Sequence, residues 1–507
     1  MSAATQPGTV VEVQGGELAR NTDWKGAFVI GLAGTILVTG IVPASVQGLG
    51  AASIPLIAVL TGMGVVLCLM LAELAAMMPH RTGGLPSYAY ETFKPLGKRT
   101  AAHAGGLSAW AYWLGWFPVA PINMILAAAY IVGLFHLPAG HQLQIFGSVG
   151  SPVSTTTLLI AIAGIVGMFI PCYLGIRFGA RFAAVMGIVS MVPLTLFILL
   201  PLGHPSAFHW ANISGFHLAK GVHGSLPLFA AWAFVMTWSV LAMEAAACYI
   251  GECRNPARDA KISLSVEGGY GFFVFVFTAV VIVGVIGATA NVDPLTVYTQ
   301  VVAVIFGSNA GVIQWLIGVP LIIALTLSVL NAIAGSARSL YQVAHDGMLP
   351  RWFAKVNKHG TPARAMLFNT VASIIVLFFG SPVRIYVFSN MGYLASIAVA
   401  LFGYFLYRQY RPELPRPVRL PTFAKWVALA IAIVFTFIWA YGGWHSPALV
   451  VGESSERLFF LGLAILLAYL PLYWWRVITD RRLLRSGTPA VVAVTATAAG
   501  EEAEVIA

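Results

Sequence analysis

Long apolar runs separated by short polar stretches follow one another along most of the chain. A bilayer core of about 30 Å needs about 20 apolar residues in a helix, so such runs predict membrane spans. The ninth run is short and meets the tenth at Gly380-Ser381-Pro382, a combination typical of a tight turn. The predicted spans are at about residues 27–45, 54–78, 106–134, 155–174, 182–202, 227–250, 268–288, 312–336, 366–380, 385–407, 425–443 and 457–476. They predict an all-α integral membrane protein with 12 transmembrane helices.

The composition excludes a soluble globular protein. Apolar residues make up 59% of the 507 residues and charged residues only 9%, and the mean hydropathy is +0.85. Soluble domains carry about 25% charged residues, so this chain has too little polar surface to cover it. The net charge of +10 therefore indicates residues that flank membrane helices, and we expect the lipid bilayer as a partner and no nucleic acid.

The distribution of Lys and Arg predicts the orientation. If the N-terminus is cytoplasmic, 25 of the 28 basic residues fall on the cytoplasmic side, and only Lys220, Arg384 and Arg457 fall outside. This asymmetry places both termini in the cytoplasm of a multi-pass protein of the plasma (inner) membrane. The tails are 1–25, which shows no cleavable signal peptide, and 479–507, which is predicted to be disordered.

The first span carries several residues that interrupt helices. Gly31, Gly34, Gly40 and Pro43 lie within it, and Thr39-Gly40 followed by Pro43 predicts a break. A transporter that binds a polar solute inside the membrane needs backbone groups that an intact helix hides. The alternative is that these small residues serve close helix packing.

The sixth span carries an acid deep within its apolar run. A charged residue at the centre of a span costs about 2.5–3.5 kcal/mol, so Glu244 predicts a functional group that faces a partner or a water-filled path. The alternative is a neutral Glu that joins helices by hydrogen bonds. Trp238, six residues earlier, either lines the same site or is an ordinary core or lipid-facing ring.

Spans one and six begin two successive five-helix units, 27–202 and 227–407. An odd number of helices gives the units opposite topology, and interruptions at matching positions indicate an inverted repeat with a central site. We therefore predict a transporter core at 26–410 and two additional transmembrane helices within 411–478.

Other classes of membrane protein find little support. Cys68, Cys172, Cys248 and Cys253 form no CxxC pair, and no HExxH or GxSxG pattern predicts an enzyme. The alternatives left are a membrane-embedded enzyme and a substrate sensor that does not transport. We expect no catalytic residue, metal or cofactor, and the sequence leaves the oligomeric state open. The external loop before span six holds four His residues that are either solvated or a weak metal or pH-sensing group, namely His204, His209, His217 and His223.

Three polar segments resemble motifs of the amino acid–polyamine–organocation transporter family. Residues 72–97, AELAAMMPHRTGGLPSYAYETFKPLG, are similar to its acidic-small segment followed by P-x-x-G-G-x-Y. Residues 251–260, GECRNPARDA, resemble its E-x-x-N-P motif. Residues 337–365 contain AHDGMLPRWFAKVNKHGTP, which is similar to its D-G-x-x-P-x-x-F-x-x-V-N-x-x-G-T-P motif. The resemblance covers nearly all of residues 26–410.

The resemblance implies the LeuT-type fold, a 5+5 inverted repeat followed by two C-terminal helices, and alternating-access transport of an amino acid or small amine as proton symporter or exchanger. In place of the family's G-S-G-[IV]-F this chain has Val38-Thr39-Gly40-Ile41-Val42, and stiff Val replaces the first Gly. An apolar lining would suit a neutral amino acid, whereas Glu244 would suit an amine. The substrate-binding residues implied are Thr39, Gly40, Ile41, Trp238, Leu241, Glu244, Asn331 and Ala332.

The resemblance also bears on coupling and gating. Proton-coupled members carry a Lys in the fifth span where this chain has Ser190, a candidate ion-site residue. Without that Lys we expect exchange, or proton coupling through Glu244; sodium coupling has little support. The motif residues are either a cytoplasmic gate or hinge or simply topogenic charge and turn chemistry; they are Asn255, Pro256, Asp346 and Gly347.

Overall fold

The computed structural model describes residues 22–146, 151–287, 296–307, 310–452 and 454–485, which are almost entirely helical. Residues 479–485 of the predicted disordered tail continue α18, whereas the rest of that tail and most of the N-terminal tail lie outside the described residues. A two-stranded hairpin pairs Gln142–Leu143 with Val153–Ser154. In chain order the α-helices are α1 (Trp24–Thr35), α2 (Val38–Leu49), α3 (Ser53–Met77), α4 (Leu85–Phe93), α5 (Lys98–Trp116), α6 (Val119–Phe135), α7 (Thr155–Tyr173), α8 (Ile176–Gly203), α9 (Leu226–Val240), α10 (Pro256–Ile286), α11 (Val297–Phe306), α12 (Ala310–His345), α13 (Ala363–Leu377), α14 (Pro382–Tyr410), α15 (Ala424–Phe437), α16 (Gly443–Ser446), α17 (Ser455–Leu467) and α18 (Tyr469–Arg485).

Ten helical stretches of the described residues are long and apolar enough to cross a membrane. The structure therefore supports a multi-pass helical membrane protein. The second part of predicted span one and the whole of predicted span two form one apolar run, Val38–Met77, which a 3₁₀ turn at Gly50–Ala52 divides, whereas the first part of span one lies in α1. Predicted span nine corresponds to α13, which is shorter than the other stretches. The exact count of twelve crossings and the inverted repeat stay predictions.

The first span is interrupted, but earlier than the sequence predicts. α1 ends at Thr35 and α2 begins at Val38, so the break falls at Ile36 and Leu37 instead of at Thr39-Gly40. Pro43, which was expected to contribute to the break, lies inside α2. The cause is a contact with span six: a Cβ on Gly34 would overlap the backbone carbonyl of Ala242, so only glycine lets the two segments approach this closely.

Span six changes its helical form halfway along. α9 ends at Val240, and Ala242–Glu252 continues as a 3₁₀ helix of 11 residues. Runs of 3₁₀ helix longer than three or four residues are uncommon, and a long one often marks a functional hinge. Leu241, a predicted site residue, is the junction between the two forms, and Glu244 lies in the first turn of the 3₁₀ segment.

Three long helices enclose these interrupted segments. α10 packs along α3, α12 along α6, and α14 along α5. α1 packs against the 3₁₀ segment and against α10. The two irregular segments are therefore buried inside the helix bundle, which is the place where non-helical backbone is tolerated at membrane depth.

Candidate functional site

Glu244 lies at the centre of the bundle and is fully buried. Its Oε1 accepts hydrogen bonds from the hydroxyls of Tyr112 on α5, at 3.0 Å, and Tyr393 on α14, at 2.9 Å. Its Oε2 has no hydrogen-bond partner among the described residues. A buried polar atom without a partner costs about 1–3 kcal/mol, so this oxygen is suited to receive a donor from a ligand.

The two tyrosines belong to a cluster of aromatic rings. The ring of Trp116 lies 6.0 Å from that of Tyr112 and 6.1 Å from that of Tyr393, and the two tyrosine rings are 6.0 Å apart. Aromatic faces attract ammonium groups, and they do so more strongly where water is excluded. The cluster and the carboxylate together form a site suited to a cation.

Trp238 is also buried and faces this region. Its indole nitrogen donates to the carbonyl of Gly115 at 2.7 Å, and its ring lies 4.9 Å from the ring of Tyr386. A Cβ on Gly40 would meet the hydroxyl of the same Tyr386. Tyr386 on α14 therefore brings two predicted site residues, one from each interrupted span, to the same place.

The backbone amides of Thr39, Gly40 and Ile41 occupy the first turn of α2. The amide of Thr39 donates to Ile36 O at 3.0 Å, and those of Gly40 and Ile41 both donate to Leu37 O at 3.3 Å. The Thr39 hydroxyl also donates to Ile36 O, at 2.8 Å. In this structure the three amides are engaged in turn hydrogen bonds, and a carboxylate would have to replace those bonds.

Ser190 and Thr39 line one small cavity of about 20 Å³, large enough for about one water molecule. The Ser190 hydroxyl donates to Met186 O, one turn earlier on α8, at 2.6 Å. The cavity lies between spans one, five and eight and is otherwise mostly apolar, with Phe197 and Tyr298 among its walls.

Asn331 and Ala332 of α12 are buried and contact other spans. The hydroxyl of Tyr249 donates to Asn331 Oδ1 at 2.5 Å, and Asn331 Nδ2 has no partner among the described residues. The carbonyl of Ala332 accepts a hydrogen bond from Asn369 on α13. These two residues join α12 to the 3₁₀ segment and to α13, and among the described residues the hydrogen bonds of Glu244 go to Tyr112 and Tyr393 instead.

We call the end of the bundle that carries the loops 78–84 and 346–362 the basic end. There Arg81 forms ion pairs with Asp346 and, at 3.2 Å, with Glu91. Burial disfavours the charged guanidinium, but the two carboxylates outweigh burial and raise the pKa of Arg81. Asp346, which the sequence predicts as a gate residue, is thus joined to a charged residue that was not predicted to belong to the gate.

The loop around Arg81 lies between the 3₁₀ segment and α12. The Thr82 hydroxyl donates to Cys248 O at 2.9 Å, the Gly83 amide donates to the same carbonyl at 3.0 Å, and the Ser339 hydroxyl donates to Gly83 O at 2.7 Å. Gly83 has a φ of +86° and its Cα lies against the backbone of Arg338, so a side chain would be strained there. These contacts join the loop to both the 3₁₀ segment and α12.

The other predicted hinge residues have local roles. Pro256 is the first residue of α10, and the backbone amide of Asn255 donates to Asp259 Oδ2, four residues later, at 3.2 Å. Gly347 adopts a φ of +89° in the turn after α12. Within the described residues, the structure brings Asp346 to the loop after span two and leaves Asn255 and Pro256 within their own helix start.

A larger cavity lies at the opposite end of span six. It measures about 470 Å³ and lies where α2 ends and α9 begins. Gln47, His223, Ser225 and Trp232 are among its walls. One of the four loop histidines, His223, therefore borders this cavity.

The sequence analysis missed the aromatic residues that surround Glu244. Tyr112 and Trp116 lie in span three, and Tyr386 and Tyr393 lie in span ten. A buried tyrosine needs a partner for its hydroxyl, which was a usable signal. Seventeen tyrosines occur in the chain, however, and their positions alone do not say which ones meet the acid.

The chain is similar in sequence to several known transporters and permeases. A sequence model described as amino acid permease matches residues 23–438. Similar proteins include the vacuolar cationic amino acid transporter 8 of Arabidopsis thaliana, 28% identical over 57% of this chain and 48% of its own length. The methylthioribose transporter of Bacillus subtilis is 26% identical over 82% of this chain and 85% of its own. The branched-chain amino acid permease BcaP of Bacillus subtilis is 24% identical over 58% of this chain and 61% of its own.

The match spans most of the chain, including both interrupted spans, Glu244 and the loops of the basic end. The plant relative is matched over about half of its length. The predicted resemblance is thus confirmed, and the chain belongs to the amino acid permease family.

Proposed function

We propose that this protein is a secondary transporter that moves an amino acid or related small amine across the plasma membrane by alternating access. The observation that carries the proposal is the buried carboxylate of Glu244, which lies in the first turn of the 3₁₀ segment of span six and has one oxygen, Oε2, without a hydrogen-bond partner among the described residues. The similar proteins named above are transporters and a permease, which supports transport over a sensor or a membrane-embedded enzyme.

Glu244 is proposed to receive the amino group of the substrate. An ammonium group beside it would gain a charge-assisted hydrogen bond from Oε2 and attraction to the faces of Tyr112, Trp116 and Tyr393. The relatives' names point to different solutes, namely cationic amino acids, methylthioribose and branched-chain amino acids. An amino group is common to the amino acids among these solutes. We therefore expect the carboxylate of Glu244 to recognise the amino group of the substrate and not one particular side chain.

Thr39, Gly40 and Ile41 are proposed to receive the carboxylate. They form the first turn of α2, where the helix dipole favours negative charge. Their weak turn hydrogen bonds, two of them 3.3 Å long, would be exchanged for bonds to the substrate. Trp238, Leu241, Asn331 and Ala332 would line the rest of the site, as the family resemblance implies.

The architecture proposed is the inverted repeat of 27–202 and 227–407, within a core at 26–410, followed by two helices within 411–478. Interruptions in the first helix of each unit, at Ile36–Leu37 and at Leu241, support it. The excess of Lys and Arg supports cytoplasmic termini, tails at 1–25 and 479–507, and a basic end that faces the cytoplasm.

Two features support the proposal of alternating access. The Arg81 ion pairs join the loops of the basic end, whereas the cavity of about 470 Å³ lies at the opposite end. The proposed gate acts through Asp346 and Gly347, with the helix start at Asn255 and Pro256 as a hinge. Transport would be driven either by a proton bound at Glu244 or by the exchange of one substrate molecule for another. The candidate ion site is the cavity at Ser190, which has room for about one water molecule.

Two measurements on the purified protein test the proposal. Thermal unfolding with L-arginine, L-leucine, glycine and putrescine should reveal which solute binds, since a ligand of the folded state raises its apparent stability. Uptake of the same labelled solute into vesicles that contain the protein should then exceed uptake into empty vesicles. Binding without uptake would indicate a sensor, and chemical conversion of the solute would indicate an enzyme.

A further inference from the structure

A second acid, Glu267, lies buried in the membrane part of the bundle. The sequence places span seven at 268–288, which leaves Glu267 outside it, but α10 begins at Pro256. Glu267 is therefore eleven residues into the helix, about 16 Å along its axis. Its side chain is 0% exposed.

The carboxylate of Glu267 contacts both interrupted spans. Its Oε2 accepts a hydrogen bond from the backbone amide of Ala246, in the 3₁₀ segment, at 3.2 Å. Both carboxylate oxygens lie against Gly31 of α1, where a Cβ would come within 2.8 Å of either one. The absence of a side chain at Gly31 therefore makes the space that Glu267 fills between α1 and the 3₁₀ segment.

In the part of the chain that the structure describes, no basic side chain neutralises this acid. Glu267 has no ion-pair partner among the described residues, and its Oε1 has no hydrogen-bond partner there. An ionised carboxylate in such surroundings would be strongly disfavoured, whereas a protonated one is tolerated. The buried acids Glu73 and Glu252 differ, because each is paired with arginine.

The ionisable groups that interact electrostatically with Glu267 would not stabilise its ionised carboxylate either. They are Glu244 and Cys248 of the 3₁₀ segment and Cys68 of α3. The other helices packed against α10 offer no cation at this depth: α2 has no basic or acidic residue, and the basic residues of α1 and α8 lie in their first six residues. The titratable group of α11 is Tyr298, and its hydroxyl donates a hydrogen bond to Val38 O at 3.4 Å.

We propose that Glu267 is a proton-binding site whose occupancy is coupled to the movement of spans one and six. This inference rests on the proposed transport function. In the closed arrangement Glu267 is the neutral acid, with its carbonyl oxygen accepting from Ala246. When α1 and the 3₁₀ segment separate, water reaches the carboxyl group, which ionises and releases its proton to that water.

The donor set favours a proton over a metal cation. The N–H of Ala246 points at Oε2, and a donor so placed repels a cation at that oxygen while it stabilises a carbonyl or carboxylate. Sodium binding also needs several oxygen ligands, whereas the contacts that Glu267 makes here are with the backbone amide of Ala246 and with Gly31. Glu267 would thus provide the ionisable group that the family resemblance places on a Lys in span five.

Infrared difference spectra of the purified wild-type protein, recorded between acid and alkaline buffer without substrate, test this assignment. In wild type, the carbonyl stretch of the protonated Glu267 carboxyl group should disappear at alkaline pH. Glu267→Gln should remove this pH-dependent band, whereas Glu244→Gln should retain it. Gly31→Ala, which crowds both oxygens, should shift the band and gives a second readout if Glu267→Gln does not fold. A wild-type spectrum without a titrating band, a band unchanged by both variants, or one that follows sodium instead of pH would overturn the assignment.

Transport by vesicles tests the coupling, with labelled L-arginine and L-leucine as probes. A gradient of one pH unit supports about a tenfold solute gradient for each proton moved with the solute. Wild type should concentrate its substrate accordingly, whereas Glu267→Gln should only equilibrate it and still exchange labelled for unlabelled solute. Equal accumulation by both proteins would refute the coupling. Absence of all wild-type transport would instead contradict the proposed function, and the infrared result would still decide the proton site.

Discussion

The guanidinium Nε of Arg338 lies 2.5 Å from a carboxylate oxygen of Glu252, and both side chains are almost completely buried. The pair joins α12 to the last residue of the 3₁₀ segment. The guanidinium also lies 5.0 Å above the ring of Tyr249. The 3₁₀ half of span six is thus tied to span eight by a charge pair inside the protein.

Removal of Glu252 should strongly destabilise the protein. Glu252→Ala leaves the Arg338 charge buried without its partner, which typically costs about 3–5 kcal/mol. Thermal unfolding in detergent should show a clear loss of stability. The control is Glu413→Ala, because Glu413 is 59% exposed and its pair with Arg411 is at the surface. Equal melting temperatures for the two variants would contradict a structural role for the buried pair.

The predicted orientation can be checked at two exposed lysines. The four native cysteines are buried, so a cysteine at Lys358 or at Lys220 would be the accessible thiol among the described residues. If the basic end faces the cytoplasm, Lys358→Cys should react with a membrane-impermeant reagent only in opened cells. Lys220→Cys should react in intact cells. The reverse pattern would invert the topology.

Gly40→Val should abolish transport while the protein still reaches the membrane. The new side chain would meet the Tyr386 hydroxyl and Leu126, and it would occupy the first turn of α2 where the substrate carboxylate is proposed to bind. Gly62→Val is the matched control, because no atom lies within 4 Å of a Cβ at Gly62. Uptake and surface expression should be measured together. Transport with unchanged apparent affinity in Gly40→Val would exclude this site, as would equal binding of amines that lack a carboxylate.

Glu244→Gln should flatten the pH dependence of transport. In wild type, a lower pH protonates Glu244 and so should weaken binding of a substrate's ammonium group, whereas a higher pH leaves the carboxylate free to pair with it. The amide keeps the acceptor for Tyr112 and Tyr393 but does not titrate. Uptake rates should be compared over a range of pH, with Glu413→Gln as the exposed control. Wild-type rates for Glu244→Gln at every pH would leave Glu244 with a structural role.

Much of the fold follows from the sequence, because lipid imposes a simple condition on the backbone. Every N–H and C=O group in the bilayer core needs an internal partner, so long apolar runs must form helices. The runs therefore predicted most helices closely, for example 155–174 against Thr155–Tyr173. Glu244 was also recognisable from the sequence, since an acid deep in an apolar run is rare without a function.

Contacts between distant parts of the chain decided the rest. The break of span one lies at Ile36–Leu37 because Gly34 meets the carbonyl of Ala242, more than two hundred residues away. The start of span seven was missed because its first turns carry charged residues that resemble a loop, and only packing against α1 and α3 shows that Glu267 is buried. Hydropathy along the chain records how much apolar surface each segment must bury, but the neighbours of a polar group depend on how the helices pack together.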